Sequence, residues 1–153
     1  MRTLTRRQQR PRNVHAAIAV IERRDRYLIA QRLPGDIRGG YWEFPGGTRE
    51  AGESWSTCLR RELHEELGVS IATLTPFGTT RLHDARGVLH LEVYRCTIAG
   101  RPRPLAAQAL RWVRSDQLDA YRFPPANRRI IARLKRYEHT HALPASPRTR
   151  SSD

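Results

Sequence analysis

No stretch of this chain approaches the roughly 18 consecutive apolar residues that a membrane-crossing helix requires, and its apolar content is 39%. The opening segment, MRTLTRRQQRPRN, has arginines but no apolar run behind them, which argues against a secretory signal. Cysteine is scarce. Cys58 and Cys96 lie far apart, with no CxxC pair and no Cys/His cluster of the kind that holds zinc. Two such thiols are expected to be reduced, as in a cytoplasmic protein, rather than joined in a disulfide. Lysine is almost absent: 27 of the 28 basic residues are arginine. The positive charge can therefore reflect an arginine-biased source genome as well as a binding role. There is no internal repeat.

What is present suits one domain with a sizeable core, since the chain has 153 residues. The net charge of +13 is unevenly spread. Residues 1–13 carry five arginines and no acid, and residues 138–153 carry two arginines against Glu138 and Asp153. The 21 basic and 13 acidic residues in between leave about +8 for the presumed core. Such a surface would draw a polyphosphate toward an acidic site. It would equally allow non-specific RNA or DNA contact.

The chain reads as a basic tail over residues 1–13, a single domain over 14–137 and a disordered tail over 138–153. Val14 to Ile21 is an apolar strand buried on both faces, and Tyr27 to Arg32 returns from an Arg23-Arg24-Asp25 turn as a hairpin. Leu33 to Gly40, rich in Pro and Gly, is a loop. Tyr41 to Phe44 is a short strand running into Pro45-Gly46-Gly47. Further strands are expected at Ile71 to Arg81, Val88 to Ile98 and Ala109 to Val113. A last helix over Asn127 to Tyr137 should bury Ile130, Ile131 and Leu134.

The most informative segment is Gly47 to Val69, GTREAGESWSTCLRRELHEELGV. Ser54 is a good N-cap for a helix running to Leu67, and Gly68 is a good stop just past it. At about 100° per residue, Glu62, Glu65 and Glu66 fall within about 100° of one another on one face. Leu59, Leu63 and Leu67 form an adjoining apolar stripe that can pack on a sheet. Like charges at these spacings repel and weaken the helix unless a cation gathers them. Hard oxygen ligands with open positions suit Mg²⁺, with Mn²⁺ as a substitute.

The segment satisfies every defined position of Gly-x5-Glu-x7-Arg-Glu-U-x-Glu-Glu-x-Gly-U, where U is a bulky aliphatic residue. A chance match at one window has a probability on the order of 10⁻⁹ or less. The chain thus resembles the Nudix hydrolases, which cleave nucleoside diphosphates linked to another group with the help of a divalent metal. YWEFPGG before the box, Arg111-Trp112-Val113 and Phe123-Pro124-Pro125-Ala126-Asn127 after it are similar to segments of the MutT-type members. Those members hydrolyse 8-oxo-dGTP and 8-oxo-GTP to monophosphate and pyrophosphate.

The resemblance implies an α/β fold, a Nudix α/β/α sandwich with a mixed β-sheet between helices. It implies metal ligation by the Gly46 carbonyl and by Glu62, Glu65 and Glu66. Arg61 would orient a box glutamate, with Glu62 or Glu65 acting catalytically, and Glu53 would brace the loop entering the helix. Glu43, Phe44, Pro45 and Gly46 would line the nucleotide pocket through backbone groups, with Phe44 against the base. Arg32 and Arg86 would contact the nucleotide. The implied function is Mg²⁺-dependent pyrophosphohydrolysis by a monomer acting on a small-molecule nucleoside triphosphate. No membrane and no stable nucleic-acid partner is expected.

Asn127 suggests why an oxidised base would be preferred. Guanine presents two acceptors at N7 and O6, whereas the 8-oxo form carries a hydrogen on N7 beside the O6 acceptor. A carboxamide offers one acceptor and one donor and so matches the oxidised edge. Asn127 can equally serve as the cap of the last helix. One departure stands out. The glutamate that MutT-type enzymes carry before the Trp strand is Ala106 here, and PLAAQALRW has no carboxylate. Glu62 or Glu65, or an incoming Asp84 or His83, would have to serve instead. Unreplaced, the loss of general-base assistance would cost about 10²–10⁴-fold. The alternatives are another nucleoside triphosphate, a 5′-triphosphate RNA end, or a nucleotide-binding module with weak turnover.

Overall fold

Arg12–Arg23 forms β1, and most of the architecture hangs from this strand. Its side chains alternate between two cores, as a period of two requires. Ala16 and Val20 point into one core and Ala17, Ala19 and Ile21 into the other. The computed structural model describes residues 12–141. β1 runs parallel to β6 (Gly87–Ala99) from Arg12↔Gly87 to Ile21↔Cys96, and β6 pairs antiparallel with β5 (Ser70–Asp84).

The hairpin from β1 into β2 (Arg26–Gln31) holds only through Glu22↔Tyr27 and Arg23↔Arg26. The two strands then part. The segment Trp42–Thr48 wedges into the split: β3 (Trp42–Glu43) pairs with β2, and β4 (Gly46–Thr48) pairs with β1. β7 (Ala109–Val113) lies on the other edge of β2. β4 is not apparent from the sequence, because Pro45-Gly46-Gly47 signals a turn. It pairs because Gly46 can approach β1 closely: a Cβ there would lie 2.1 Å from the Ala17 carbonyl oxygen.

One helix covers each face of the sheet. α1 (Trp55–Leu67) starts where Ser54 accepts from the Thr57 N–H at 3.1 Å, and it ends at Gly68 with φ 68°. It buries Leu59, Leu63 and Leu67 against Ala17, Ala19, Ile21 and Leu28. Each leucine contributes roughly 1.5–3 kcal/mol relative to exposure. α2 (Pro125–His141) buries Ile130, Ile131 and Leu134 against Val20, Ile29, Leu91 and Val93. The α/β/α sandwich around a mixed sheet is therefore present.

Both expected tail boundaries shift. β1 begins at Arg12, inside the expected 1–13 tail, because the Arg12 N–H bonds the Arg86 carbonyl at 2.8 Å. α2 runs past residue 137 to His141, where Glu138 accepts from the hydroxyls of Tyr27 and Ser115 and the His141 ring stacks on Tyr137. The rest of both expected tails lies outside the described residues. α2 also begins two residues before Asn127, since Pro125 at the first helical position has no N–H to lose. A 3-10 turn over Ser115–Ala120, not expected from sequence, buries Leu118.

Candidate active site

The box glutamates lie along α1 where it faces β4. Glu62 rests directly on that strand: a Cβ on Gly47 would sit 2.2 Å from its carboxyl carbon. Only glycine leaves that room, which explains the first position of the box. Glu66, one turn further along, is turned inward and accepts a long hydrogen bond (3.4 Å) from the Gly46 N–H. Burial raises its carboxyl to about 8, with the neighbouring charges of Glu62 and Glu43 adding to the effect and Gly46 opposing it. Glu65 is the outlier, with 57% of its side chain exposed.

Arg61 is the electrostatic hub. Its guanidinium grips Glu53 with two hydrogen bonds (Nε–Oε2 2.7 Å, Nη2–Oε1 2.9 Å) and reaches Glu62 at 2.9 Å and Glu65 at 3.4 Å. It also donates to the Thr48 carbonyl at 3.1 Å, which clips α1 to β4. Glu53 accepts in addition from the Glu50 N–H at 3.0 Å. The Arg61 bonds, then that backbone bond, hold the Glu53 carboxyl down to about 2. Glu53 thus stays ionised and braces the turn that enters α1.

Among the described residues, no three acidic, histidine or cysteine side chains close into a metal cage. Guanidinium groups stand where a cation would neutralise the carboxylates: Arg61 between Glu53, Glu62 and Glu65, and Arg32 against Glu43 at 2.7 Å. The donor set still fits a hard divalent cation. All its side-chain donors are carboxylate oxygens, and Glu66 is a half-buried acid that pairs with no cationic side chain among the described residues.

On the other side of the Trp42–Thr48 segment the environment is apolar. Phe44 is 1% exposed, and its ring stacks on Phe123 at a centroid distance of 5.8 Å. The expectation that its ring lies against a base is therefore corrected: Phe123 covers it, and only its backbone is free to line a pocket. Pro45 is buried too, its carbonyl accepting from the Ala19 N–H at 2.8 Å. Asn127, 8% exposed, accepts from the Phe44 N–H through Oδ1 at 3.0 Å. As the third residue of α2 it is not the cap, and its side chain leaves the helix to join the β3–β4 segment.

Beside Asn127 opens a slot of about 350 Å³ lined by Ile37, Arg38, Leu82, Arg86, Leu89 and Pro124 among others. Arg86 is exposed at this slot. Arg32 is turned toward Glu43 and the Ile37 carbonyl (2.8 Å). A cavity of about 470 Å³ between the 3-10 turn and α2 includes Tyr121, Arg122, Arg128 and Lys135 but no motif carboxylate. Chemistry rather than size makes the carboxylates of α1 the candidate site.

Two residues considered as replacements for the missing glutamate lie elsewhere. Asp84 pairs with Gly87, which is opposite Arg12, six residues along β1 from the Ile18↔Gly46 pair. That is roughly 20 Å at the usual strand rise. Its carboxylate accepts from the Arg86 N–H at 2.7 Å. His83 is exposed on the same arm, and His90 stacks on His15 at 4.4 Å. Ala106, by contrast, lies next to the site, since the Leu105 N–H bonds the Glu66 carbonyl at 3.1 Å. Sequence reasoning missed the Thr48 carbonyl and the nearness of Glu43 to Glu66. Both depend on β4, which carried no strand signal.

Known proteins are similar to this chain in sequence and in fold. A Mycobacterium tuberculosis protein with the provisional name 8-oxo-dGTP diphosphatase 2 is 39% identical over 113 residues, covering 71% of this chain and 79% of that one. The CTP pyrophosphohydrolase of Escherichia coli K12 is 33% identical over 116 residues, covering 74% and 85%. The crystal structure of the MutT NUDIX hydrolase from Burkholderia pseudomallei superposes with a TM-score of 0.74 at 26% identity, covering 80% of this chain and 98% of that one. The NUDIX domain family model matches residues 16–133, and the chain belongs to the Nudix hydrolases.

Proposed function

We propose that this hydrolase is a Mg²⁺-dependent nucleoside triphosphate pyrophosphohydrolase whose preferred substrates are 8-oxo-dGTP and 8-oxo-GTP, released as monophosphate and pyrophosphate. Its role would be to cleanse the cytoplasmic nucleotide pool of oxidised guanine. The observation that carries the choice of base is the bond from the Phe44 N–H to Asn127 Oδ1. It fixes the carboxamide while leaving one lone pair on Oδ1 and the NH₂ group free. That remaining acceptor–donor pair complements N7–H and O6 of 8-oxoguanine. Ordinary guanine would set the amide oxygen against a lone pair, a mismatch worth roughly 1–3 kcal/mol.

The carboxylates supply the other half of the reading. Glu62, Glu65 and Glu66, with the Gly46 carbonyl, would hold the divalent cation. When bound, it would neutralise charge developing on the phosphate oxygens during attack of water on the β-phosphorus. Arg61 would keep Glu62 and Glu65 aimed, Arg32 beside Glu43 would engage the triphosphate, and Arg86 would contact the nucleotide at the slot beside Asn127. Among other triphosphates, the E. coli relative's name makes CTP the specific alternative. Pyrophosphate release from 8-oxo-dGTP, dGTP and CTP, each with Mg²⁺, tests the reading. A clear excess of kcat/KM for the oxidised base is expected. Equal rates for 8-oxo-dGTP and dGTP, or a preference for CTP, would overturn it.

A further inference from the structure

We propose, building on that functional reading, that Glu43 supplies the carboxylate missing at Ala106 and completes the cation site from the sheet side. The placement follows from β3. Trp42 and Phe44 both enter the core beneath α2. The side chain between them therefore points to the opposite face, the one covered by α1. There Glu43 lies opposite Ala30 on β2, and its charge is close enough to act on Glu66.

The segment carrying Ala106 crosses the same corner. The Leu105 N–H bonds the Glu66 carbonyl, the Gln108 N–H bonds the Gln31 carbonyl at 2.9 Å, and Gln108 Nε2 bonds the Arg32 carbonyl at 2.8 Å. Position 106 and Glu43 thus flank one glutamate, and a carboxylate lost at the first can be replaced at the second. Glu92 is no rival: it lies opposite Ala17 on β6, with β1 between it and Gly47.

Glu43 is restrained but not committed. It pairs with Arg32 at 2.7 Å, and the two side chains are 34% and 28% exposed. An ion pair this open is weak, and a triphosphate offers Arg32 several negative charges in exchange. Substrate would then draw the guanidinium away and free Glu43 to face Glu62 and Glu66. Nucleotide binding and completion of the cation site would be one coupled event.

The test titrates Mn²⁺ calorimetrically into the full chain with a non-hydrolysable triphosphate analogue present, and measures kcat and KM separately. Glu43→Gln is expected to weaken Mn²⁺ binding about tenfold or more and to lower kcat about 100-fold, with KM little changed. Arg32→Gln should instead raise KM and keep Mn²⁺ affinity. Adding Ala106→Glu to Glu43→Gln should restore both Mn²⁺ binding and kcat. Equal Mn²⁺ losses in Glu43→Gln and Arg32→Gln would reduce the pair to a structural contact and overturn the inference. So would unchanged Mn²⁺ binding in Glu43→Gln, or no rescue by Ala106→Glu. Thermal unfolding of each variant separates misfolding from these outcomes. If wild type turns over no 8-oxo-dGTP while Mn²⁺ binding still depends on Glu43, the substrate reading fails and this one stands.

Discussion

The two sides of the segment Trp42–Thr48 present opposite chemistry, one apolar and one charged. Toward α2, Trp42 and Phe44 enter an apolar core, and their backbone N–H groups make neutral hydrogen bonds, Trp42 to the Arg122 carbonyl and Phe44 to Asn127. Toward α1, the same few residues meet Glu62, Glu66 and the arginines that offset them. A single strand's thickness separates the charged face from the face proposed to read the base. The low-dielectric side can punish a mismatched hydrogen bond, and the charged side can attract phosphates, because neither has to do both. Substitutions on the two sides should therefore affect different kinetic constants.

The largest effect is expected from Glu66→Gln, which removes the innermost carboxylate: kcat should fall about 10³-fold or more. Steady-state hydrolysis with saturating Mg²⁺ measures it, and residual activity within tenfold of wild type would remove Glu66 from the site. Gly47→Ala comes next. The added methyl would meet the Glu62 carboxyl at 2.2 Å and push it off β4. A 10–100-fold loss of Mg²⁺ affinity is expected, read from the Mg²⁺ dependence of the rate. Asn127→Ala acts on the other side. It should erase about 1–3 kcal/mol of preference for 8-oxo-dGTP over dGTP and leave dGTP turnover nearly intact. It should also lower stability by about 1–3 kcal/mol, since the Phe44 N–H loses its buried partner. If both nucleotides slow equally, the two sides are not independent.

The α1 side was largely legible in the sequence because its signals are local. Ser54, Gly68, the Leu59-Leu63-Leu67 stripe and the glutamate spacing all act within one helix, whose geometry relates them directly. The α2 side was less so. That Phe44 turns its ring into the core, and that Asn127 leaves its helix for the Phe44 N–H, are settled by residues 83 positions apart, which no short pattern reports. The early parting of β1 from β2 is of the same kind. Two apolar strands joined by a tight turn read as a full hairpin, and the wedge that opens them is a glycine-rich stretch that reads as a turn. Asp84 was a plausible substitute in sequence because loop position says nothing about distance; the register of β5 and β6 puts it far from Glu66.

The smallest effect concerns pH and isolates the charged side. Without divalent cation, burial first and then Glu62 hold Glu66 at about 8, against an ordinary value of 4.5. Over that interval the folded chain keeps a proton that the unfolded chain has released. Stability from this group is therefore full below about 4.5, declines as pH rises, and is lost above about 8. In chelator, the melting temperature should fall by several degrees between pH 5 and pH 8 on account of this carboxyl. Glu66→Gln cannot ionise and should flatten that part of the slope. Added Mg²⁺ should raise the wild-type melting temperature more at pH 8 than at pH 5, because protons then no longer compete for the carboxylate. Asn127→Ala, on the neutral side, should melt lower at every pH with the slope unchanged. Calorimetric melting of the three proteins across this range decides the matter: parallel slopes for wild type and Glu66→Gln would mean that the inward carboxyl is ionised throughout.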